Sequence, residues 1–266
     1  MQGVIVCGAA GRMGSTIVRL VHQSATMKVV GAIEASANPQ INKDAGDVAG
    51  VGPIGVPITV EVSPLLKGQA VIIEFSTPDA TVEHVRLAAK KKIPMVIGTT
   101  GLNQAQLAEI KQLSRQTPIL LSANMSLGVN LLVSLLGKVA KTLGDDYDVE
   151  IIEAHHRFKT DAPSGTALAL GRAAAQGLRR NLDEVGINGR KGIVGERTQK
   201  EIALLSVRAG DIVGDHTVIF GGIGERLEFI HRAHSRETFA QGALRAAGWL
   251  ARQKPGFYGM QDVLEL

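Results

Sequence analysis

The stretch Gly8-Ala9-Ala10-Gly11-Arg12-Met13-Gly14 lies between an apolar run, Val4–Cys7, and a segment of helical spacing, Arg12 to His22, whose Ile17, Val18 and Val21 share one face. A strand that ends in glycines and opens a helix makes a tight turn. Its backbone can approach a pyrophosphate, and the unpaired N–H groups of the helix N-terminus point at the phosphate. The spacing is G-x-x-G-x-x-G rather than the commoner G-x-G-x-x-G, so the context carries the assignment. A second strand, Val29–Ile33, ends at Glu34, where a carboxylate can accept hydrogen bonds from ribose hydroxyls. Gly8, Ala9, Ala10, Gly11, Arg12, Met13 and Glu34 are therefore read as residues of a nicotinamide-dinucleotide site. Glu34 repels a 2′-phosphate, and Ala35, Ser36 and Ala37 bring no cation to offset it. This favours NADH. NADPH stays open, because Arg12 can reach a phosphate.

Downstream the alternation continues. Strands are expected at Ala70–Phe75, Pro94–Ile97 and Ile119–Leu121, with helices from Thr81 to Lys92 and from about Asn103 to Gln116. The Gly/Pro/Asn-rich stretch Ala35 to Pro57 reads as mostly loop. Strands alternating with helices predict a doubly wound parallel sheet of the Rossmann type. Ligands of such sheets bind at strand carboxyl ends. That adds Gly98, Thr99 and Thr100, and then Ser122, Ala123, Asn124 and Met125, to the candidate cofactor contacts.

The pattern changes near Ser126. One long apolar helix, Leu127 to Leu143, is followed by more strongly alternating strands at Asp148–Ala154, Ile202–Arg208, Asp215–Phe220 and Arg226–Ala233. They predict an α+β half with an open mixed or antiparallel sheet. Helices are expected over Thr166 to Leu178 and Thr238 to Arg252, and Asn181 to Lys200 reads as a mobile loop. On pattern alone the last helix fits either half.

Composition narrows the function classes. The net charge is +4, but the basic residues are dispersed and aromatics make up only 3%. A nucleic-acid binder would cluster its cations and interleave stacking aromatics, so an attraction for small anions fits better. No stretch approaches the roughly 18 apolar residues of a membrane span, and the N-terminus lacks a charged leader. The expectation is a soluble, cytoplasmic protein. The single cysteine, Cys7, lies in an apolar strand and reads as a small buried hydrophobe.

The densest chemistry is Glu153-Ala154-His155-His156-Arg157-Phe158-Lys159-Thr160-Asp161-Ala162-Pro163-Ser164-Gly165-Thr166-Ala167. The Ser-Gly-Thr turn leads into an Ala-rich helix, and its N–H groups with the Thr166 hydroxyl form an anion site. Lys159 and the histidines can face that site, which suits a compact dicarboxylate. Hydride addition to a C=C–C=N system leaves negative charge that a proton donor must quench. His is the natural donor near neutral pH and Lys the alternative. Neighbouring His on a strand point to opposite faces, and no Cys or H-E-x-x-H spacing completes a zinc site, so no metal is expected. Glu153 and Asp161 read as orienting residues. His22, His84, His216, His231 and His234 lack such company and read as structural.

On these residues the chain resembles the 4-hydroxy-tetrahydrodipicolinate reductase (dihydrodipicolinate reductase) family. The resemblance rests on E-A-H-H-R-F-K-T-D-A-P-S-G-T-A and extends through GAAGRMG, GTTG, SANMS and Val207 to Gly214. It implies a dinucleotide-binding domain over residues 1–126 that takes back the C-terminal helix, 237–266. It also implies a substrate-binding domain over residues 127–236 whose open sheet builds a homotetramer. By position it implies His155 as proton donor and Lys159 as the second catalytic or anchoring residue, with His156, Gly165 and Thr166 holding the substrate carboxylates. Many members carry Arg where Ala35 stands, which again favours NADH. Two other readings stay open at this level: another two-domain NAD(P)-dependent oxidoreductase of amino-acid metabolism, and a non-catalytic NAD(P)-sensing protein.

Overall fold

The computed structural model describes residues 1–66 and 68–266. The chain forms two compact units, one of residues 1–127 with 237–265 and one of residues 128–236.

Val4, Ile5, Val6 and Cys7 are all fully buried. An apolar run without alternation belongs to a strand covered on both faces, as in a parallel sheet flanked by helices. The first unit follows that rule. It runs β1 (Gln2–Cys7), α1 (Arg12–His22), β2 (Met27–Ile33), α2 (Ala45–Ala49), β3 (Ile58–Thr59), β4 (Ala70–Glu74), α3 (Pro78–Lys91), β5 (Met95–Ile97), α4 (Gln104–Leu113) and β6 (Pro118–Leu121).

The second unit opens with α5 (Leu127–Leu143) and continues with β7 (Asp148–His155), α6 (Gly165–Gly177), α7 (Leu182–Val185), β8 (Gly186–Ile187), β9 (Ile202–Arg208), β10 (Gly214–Gly221) and β11 (Arg226–Ala233). The chain then returns to the first unit through α8 (Glu237–Leu250), β12 (Gly256–Tyr258) and α9 (Met260–Leu264).

The sheet of the first unit has the order β12-β6-β5-β4-β1-β2-β3, and all its pairings are parallel. One face is packed by α1 and α8, where Val4 and Val6 meet Ile17, Val21, Ala243 and Ala247. The other is packed by α3 and α4, where Ile5 and Ile72 meet Val85 and Ile110. This is the doubly wound sheet read from the sequence. The strand order reverses between β1 and β4, the place where such sheets hold ligands.

Two details differ from the sequence reading. The stretch Ala35 to Pro57 contains α2, organised by Asp44. That carboxylate accepts backbone N–H bonds from Gly46, Asp47, Ile54, Gly55 and Val56. β12, absent from the sequence reading, pairs with β6 and adds an edge strand.

The sheet of the second unit has the order β11-β10-β7-β9-β8. β7 runs parallel to β9 and antiparallel to β10, so the sheet is mixed, as expected. β7 and β10 alternate strictly in burial. Val149, Ile151, Val218 and Phe220 pack against α5 and α6, while the odd-even partners face away. The segment Asn181 to Lys200 contains α7 and β8, and its arginines are tied down. Arg190 and Arg197 pair with Glu150 at 2.8 and 3.0 Å, and Arg197 with Asp148 at 2.7 Å.

Over Leu127–Asp146 the chain is long and apolar enough to cross a membrane by length and composition, with mean hydropathy 1.3. This corrects the expectation that no stretch comes near that limit. Part of that apolar surface is buried: Leu132, Leu136 and Ala140 recur at helical spacing in the core of the second unit, whereas Leu131 and Leu135 are exposed.

Candidate functional site

In the first unit, β1 ends where the backbone turns sharply at Gly8, with φ of +74°. A Cβ there would lie 2.4 Å from the Phe75 carbonyl oxygen. The Gly8 and Ala9 N–H groups donate to the Ile33 carbonyl at 2.9 and 3.0 Å, which binds the turn to the end of β2. Gly14 lets α1 press onto the turn, since a Cβ would sit 2.0 Å from the Gly8 oxygen. Gly11 is the N-cap of α1 with no side-chain cap, and the first turn holds no acidic residue. The N-terminus of α1 could thus receive an external anion. Glu34 comes to the same place: its Oε2 accepts from the Ala10 N–H and its Oε1 from the Ala35 N–H, both at 3.0 Å. The structure therefore brings Gly8 to Met13 and Glu34 together, and this cradle fits a dinucleotide.

The other two strand ends lie on the same sheet edge, after β5 and β6. Their side chains serve the fold. A Cβ at Gly98 would lie 2.2 Å from the Phe75 ring. The Thr99 hydroxyl accepts from Thr81 at 2.8 Å, whereas Thr100 is exposed. Ser122 donates to the Asn124 carbonyl at 2.7 Å, Asn124 accepts from the Ser126 N–H at 2.8 Å, and Met125 is buried in the core. Ala123 is exposed. Below the edge, Glu74 is fully buried and accepts from the Ser76 N–H at 3.0 Å, and its Oε2 lies 2.6 Å from His84 Nδ1. Cys7 joins them, the three ligand-type atoms lying within 4.8 Å of one another. Burial, and then the Glu74 charge, pushes the Cys7 thiol well up.

In the second unit the chemistry gathers at the end of β7. Strand alternation puts Glu153 and His155 on the same, covered face. Glu153 is fully buried. Its Oε2 lies 2.6 Å from His155 Nδ1, and Arg208 of β9 donates to both of its oxygens at 2.8 Å. Burial would raise the carboxyl group of Glu153, but hydrogen bonds from Arg208, Ser206 and His155 outweigh it and hold the group at about 2. With Nδ1 on a carboxylate, His155 keeps Nε2 for a ligand. Gly214 leaves room there, since a Cβ would lie 3.1 Å from that nitrogen. Burial draws His155 below the ordinary histidine value against the pull of Glu153, and Lys159 and Arg208 act in the same direction as burial.

Beyond β7 the chain turns over His156 and Lys159, the Lys159 N–H donating to the His156 carbonyl at 3.1 Å. Lys159 Nζ is 2.8 Å from Asp161, whose carboxyl group it lowers. Arg208 also donates to the Asp161 carbonyl at 2.6 Å. Ser164 caps α6: its Oγ accepts from the Ala167 N–H at 3.1 Å and its own N–H donates to Glu153 at 3.2 Å. Gly165 and Thr166 then open α6 directly after this cap.

Two residues beside the Glu153–His155 pair read otherwise from the sequence: Arg208 has no role there, and His216 reads as a histidine without such company. Arg208 stands opposite His155 in the β7–β9 register, and His216 stands opposite Glu153 in the β7–β10 register. His216 contacts the His155 ring edge-on at a centroid distance of 5.2 Å. Burial, helped by His155 and His231, pushes His216 down to about 4.

Comparison with known proteins identifies the family. Residues 2–125 match the family model described as the N-terminus of dihydrodipicolinate reductase, and residues 128–264 match that of its C-terminus. The chain is 50% identical over 264 residues to a 4-hydroxy-tetrahydrodipicolinate reductase of Syntrophus aciditrophicus, covering 99% of this chain and 98% of that one. It is 48% identical to the enzyme of the same name from Syntrophobacter fumaroxidans, covering 99% of each. Its fold is similar to the dipicolinate-bound dihydrodipicolinate reductase of Paenisporosarcina sp. TG-14, with a TM-score of 0.79 at 24% identity, covering 98% and 99% of the two chains. A chain matched by both family models across two units, with close relatives aligned end to end, belongs to the dihydrodipicolinate reductase family.

Proposed function

We propose that the second unit holds a small dicarboxylate among His156, Lys159 and the first turn of α6, and that His155 protonates it. The reaction is the reduction of 4-hydroxy-tetrahydrodipicolinate to tetrahydrodipicolinate, with loss of water, in lysine/diaminopimelate biosynthesis. The observation that carries this reading is the buried Glu153–His155 pair beside an N-terminal helix turn and a lysine. Helix N–H groups and an ammonium suit two carboxylates, and an imidazole with its outer nitrogen presented suits proton delivery.

A bound reduced nicotinamide supplies the hydride. Gly8, Ala9, Ala10, Gly11, Arg12, Met13 and Glu34 are proposed to hold its dinucleotide, with Gly98 to Thr100 and Ser122 to Met125 along the same edge. Glu34 followed by Ala35 favours NADH over NADPH. A homotetramer through the open face of the second sheet, in the cytoplasm, completes the proposal. That face carries Leu205, Ile152, Thr217 and Ile230 side by side on four strands.

The direct test couples the protein to the synthase that makes its substrate and follows NADH and NADPH oxidation separately. NADH is expected to be oxidised faster, and no oxidation of either would sink the activity. The pH profile reports the donor. A His155 drawn below about 6.5 loses its proton as pH rises through that lower value, so kcat/KM falls along a limb below pH 6.5. Dianionic substrate raises the imidazole, so the kcat limb lies higher. If kcat/KM has no such limb, His155 is not the donor.

Gly14→Ala tests the cradle. The added methyl must push α1 off the turn, and overpacking of this kind costs about 1–3 kcal/mol. The Kd for NADH is expected to rise about 10-fold, measured by fluorescence titration. An unchanged Kd would argue against the turn as the nucleotide site.

A further inference from the structure

His216 lies on the covered face of β10, in line with Val218 and Phe220, where packing calls for apolar side chains. It is only 3% exposed. Its Nδ1 has no hydrogen-bond partner among the described residues. An imidazole buried with an orphaned nitrogen costs desolvation free energy that a leucine would not. A polar residue kept there points to a task, and among the described residues the ring makes one hydrogen-bonding contact, Nε2 to the Ser164 hydroxyl at 3.2 Å.

Ser164 is the hinge between the two halves of the site. Its N–H rests on Glu153, the carboxylate that orients His155, while its Oγ caps α6. A serine hydroxyl rotates freely unless both its proton and its lone pairs are engaged. Ala167 engages one lone pair, and His216 engages the remaining side of the oxygen. With burial and the neighbouring histidines keeping His216 uncharged at neutral pH, the contact persists through the working range.

We propose that His216 is a positioning residue, one that locks the Ser164 cap and thereby sets the Gly165 and Thr166 end of α6 where a substrate carboxylate binds. The proposal rests on the reading of α6 as the carboxylate site. It assigns His216 to substrate affinity rather than to proton transfer.

The test uses the NADH-bound protein and pyridine-2,6-dicarboxylate as an unreactive probe, with Kd from calorimetry and KM and kcat from the coupled assay. His216→Leu is expected to raise the probe Kd and the substrate KM about 10-fold, the scale of one lost hydrogen bond. It is expected to leave kcat within about 3-fold. His216→Gln, whose amide can meet the serine oxygen from the same side, is expected to recover most of the loss. Ser164→Ala removes the same contact, so adding His216→Leu to it should weaken binding little further. Wild-type affinity in His216→Leu, equal losses in the Gln and Leu variants, or additive losses with Ser164→Ala would each overturn the proposal. Should His216→Leu fail to fold, the Gln variant and Ser164→Ala carry the test: wild-type probe affinity in Ser164→Ala overturns it. If the wild-type protein itself does not bind the probe, the carboxylate reading of α6 falls, and the proposal with it.

Discussion

Replacing His155 or Lys159 by alanine is expected to lower kcat about 10²-fold, the scale of a lost proton donor. The two variants should differ in how they do so. His155 presents Nε2 alone and has its other nitrogen on Glu153, so its loss should fall on kcat with little change in KM. Lys159 is paired in the resting site with Asp161, which is 57% exposed in its side chain. With Asp161 open to water and Lys159 only 21% exposed, the pair is screened from one side and worth little, so the ammonium can exchange Asp161 for a substrate carboxylate. Lys159→Ala is therefore expected to raise KM as well. Steady-state kinetics with saturating NADH separates the cases, and wild-type turnover in both variants would place the chemistry elsewhere.

Glu153→Ala is expected to produce the largest loss of stability. The change leaves the Arg208 guanidinium and His155 without their shared carboxylate in a buried place, and breaking a buried pair from one side costs about 3–5 kcal/mol. The pH dependence follows from the sign of the shift. Glu153 is held at about 2, below its unfolded value, so its contribution is present in full above the unfolded value of about 4.3. It is lost as pH falls from there toward 2. Urea unfolding of the wild type between pH 6 and pH 3 should show this decline, and Glu153→Ala should show less of it. Equal acid sensitivity in the two proteins would mean that another carboxylate carries the effect.

Much of the fold could be read from period alone. The unbroken apolar run of β1 and the one-faced spacing of α1 gave a parallel strand and an amphipathic helix because burial leaves those two patterns in any sequence. The cluster Glu153 to Thr166 was legible because its residues are neighbours in the chain. Arg208 and His216 were not, since their place beside Glu153 depends on how β9 and β10 register against β7. No local signal tells that β9 arrives parallel and β10 antiparallel to β7, each in step with Glu153. Short elements escaped for a related reason. α2 owes its existence to five amide bonds to Asp44, three of them from Ile54, Gly55 and Val56 across a loop, and a five-residue helix has too few positions to show a period.

The return of α8, β12 and α9 to the first unit carries a consequence for the order in which the chain is made. Ala240, Ala243, Ala247, Leu250, Met260 and Val263 share one core with Val4, Val6 and Ile17, and Gly242 packs so tightly on Met125 that a Cβ would lie 1.7 Å from its carbonyl oxygen. The half translated first therefore waits for residues that are translated after the whole of the second unit. On the ribosome, residues 128–236 have all their partners in one continuous stretch and can settle first, while the nucleotide half keeps an apolar face open. A released chain ending at residue 236 is expected to present that face to chaperones, and a protease is expected to digest its first 127 residues before the next 109.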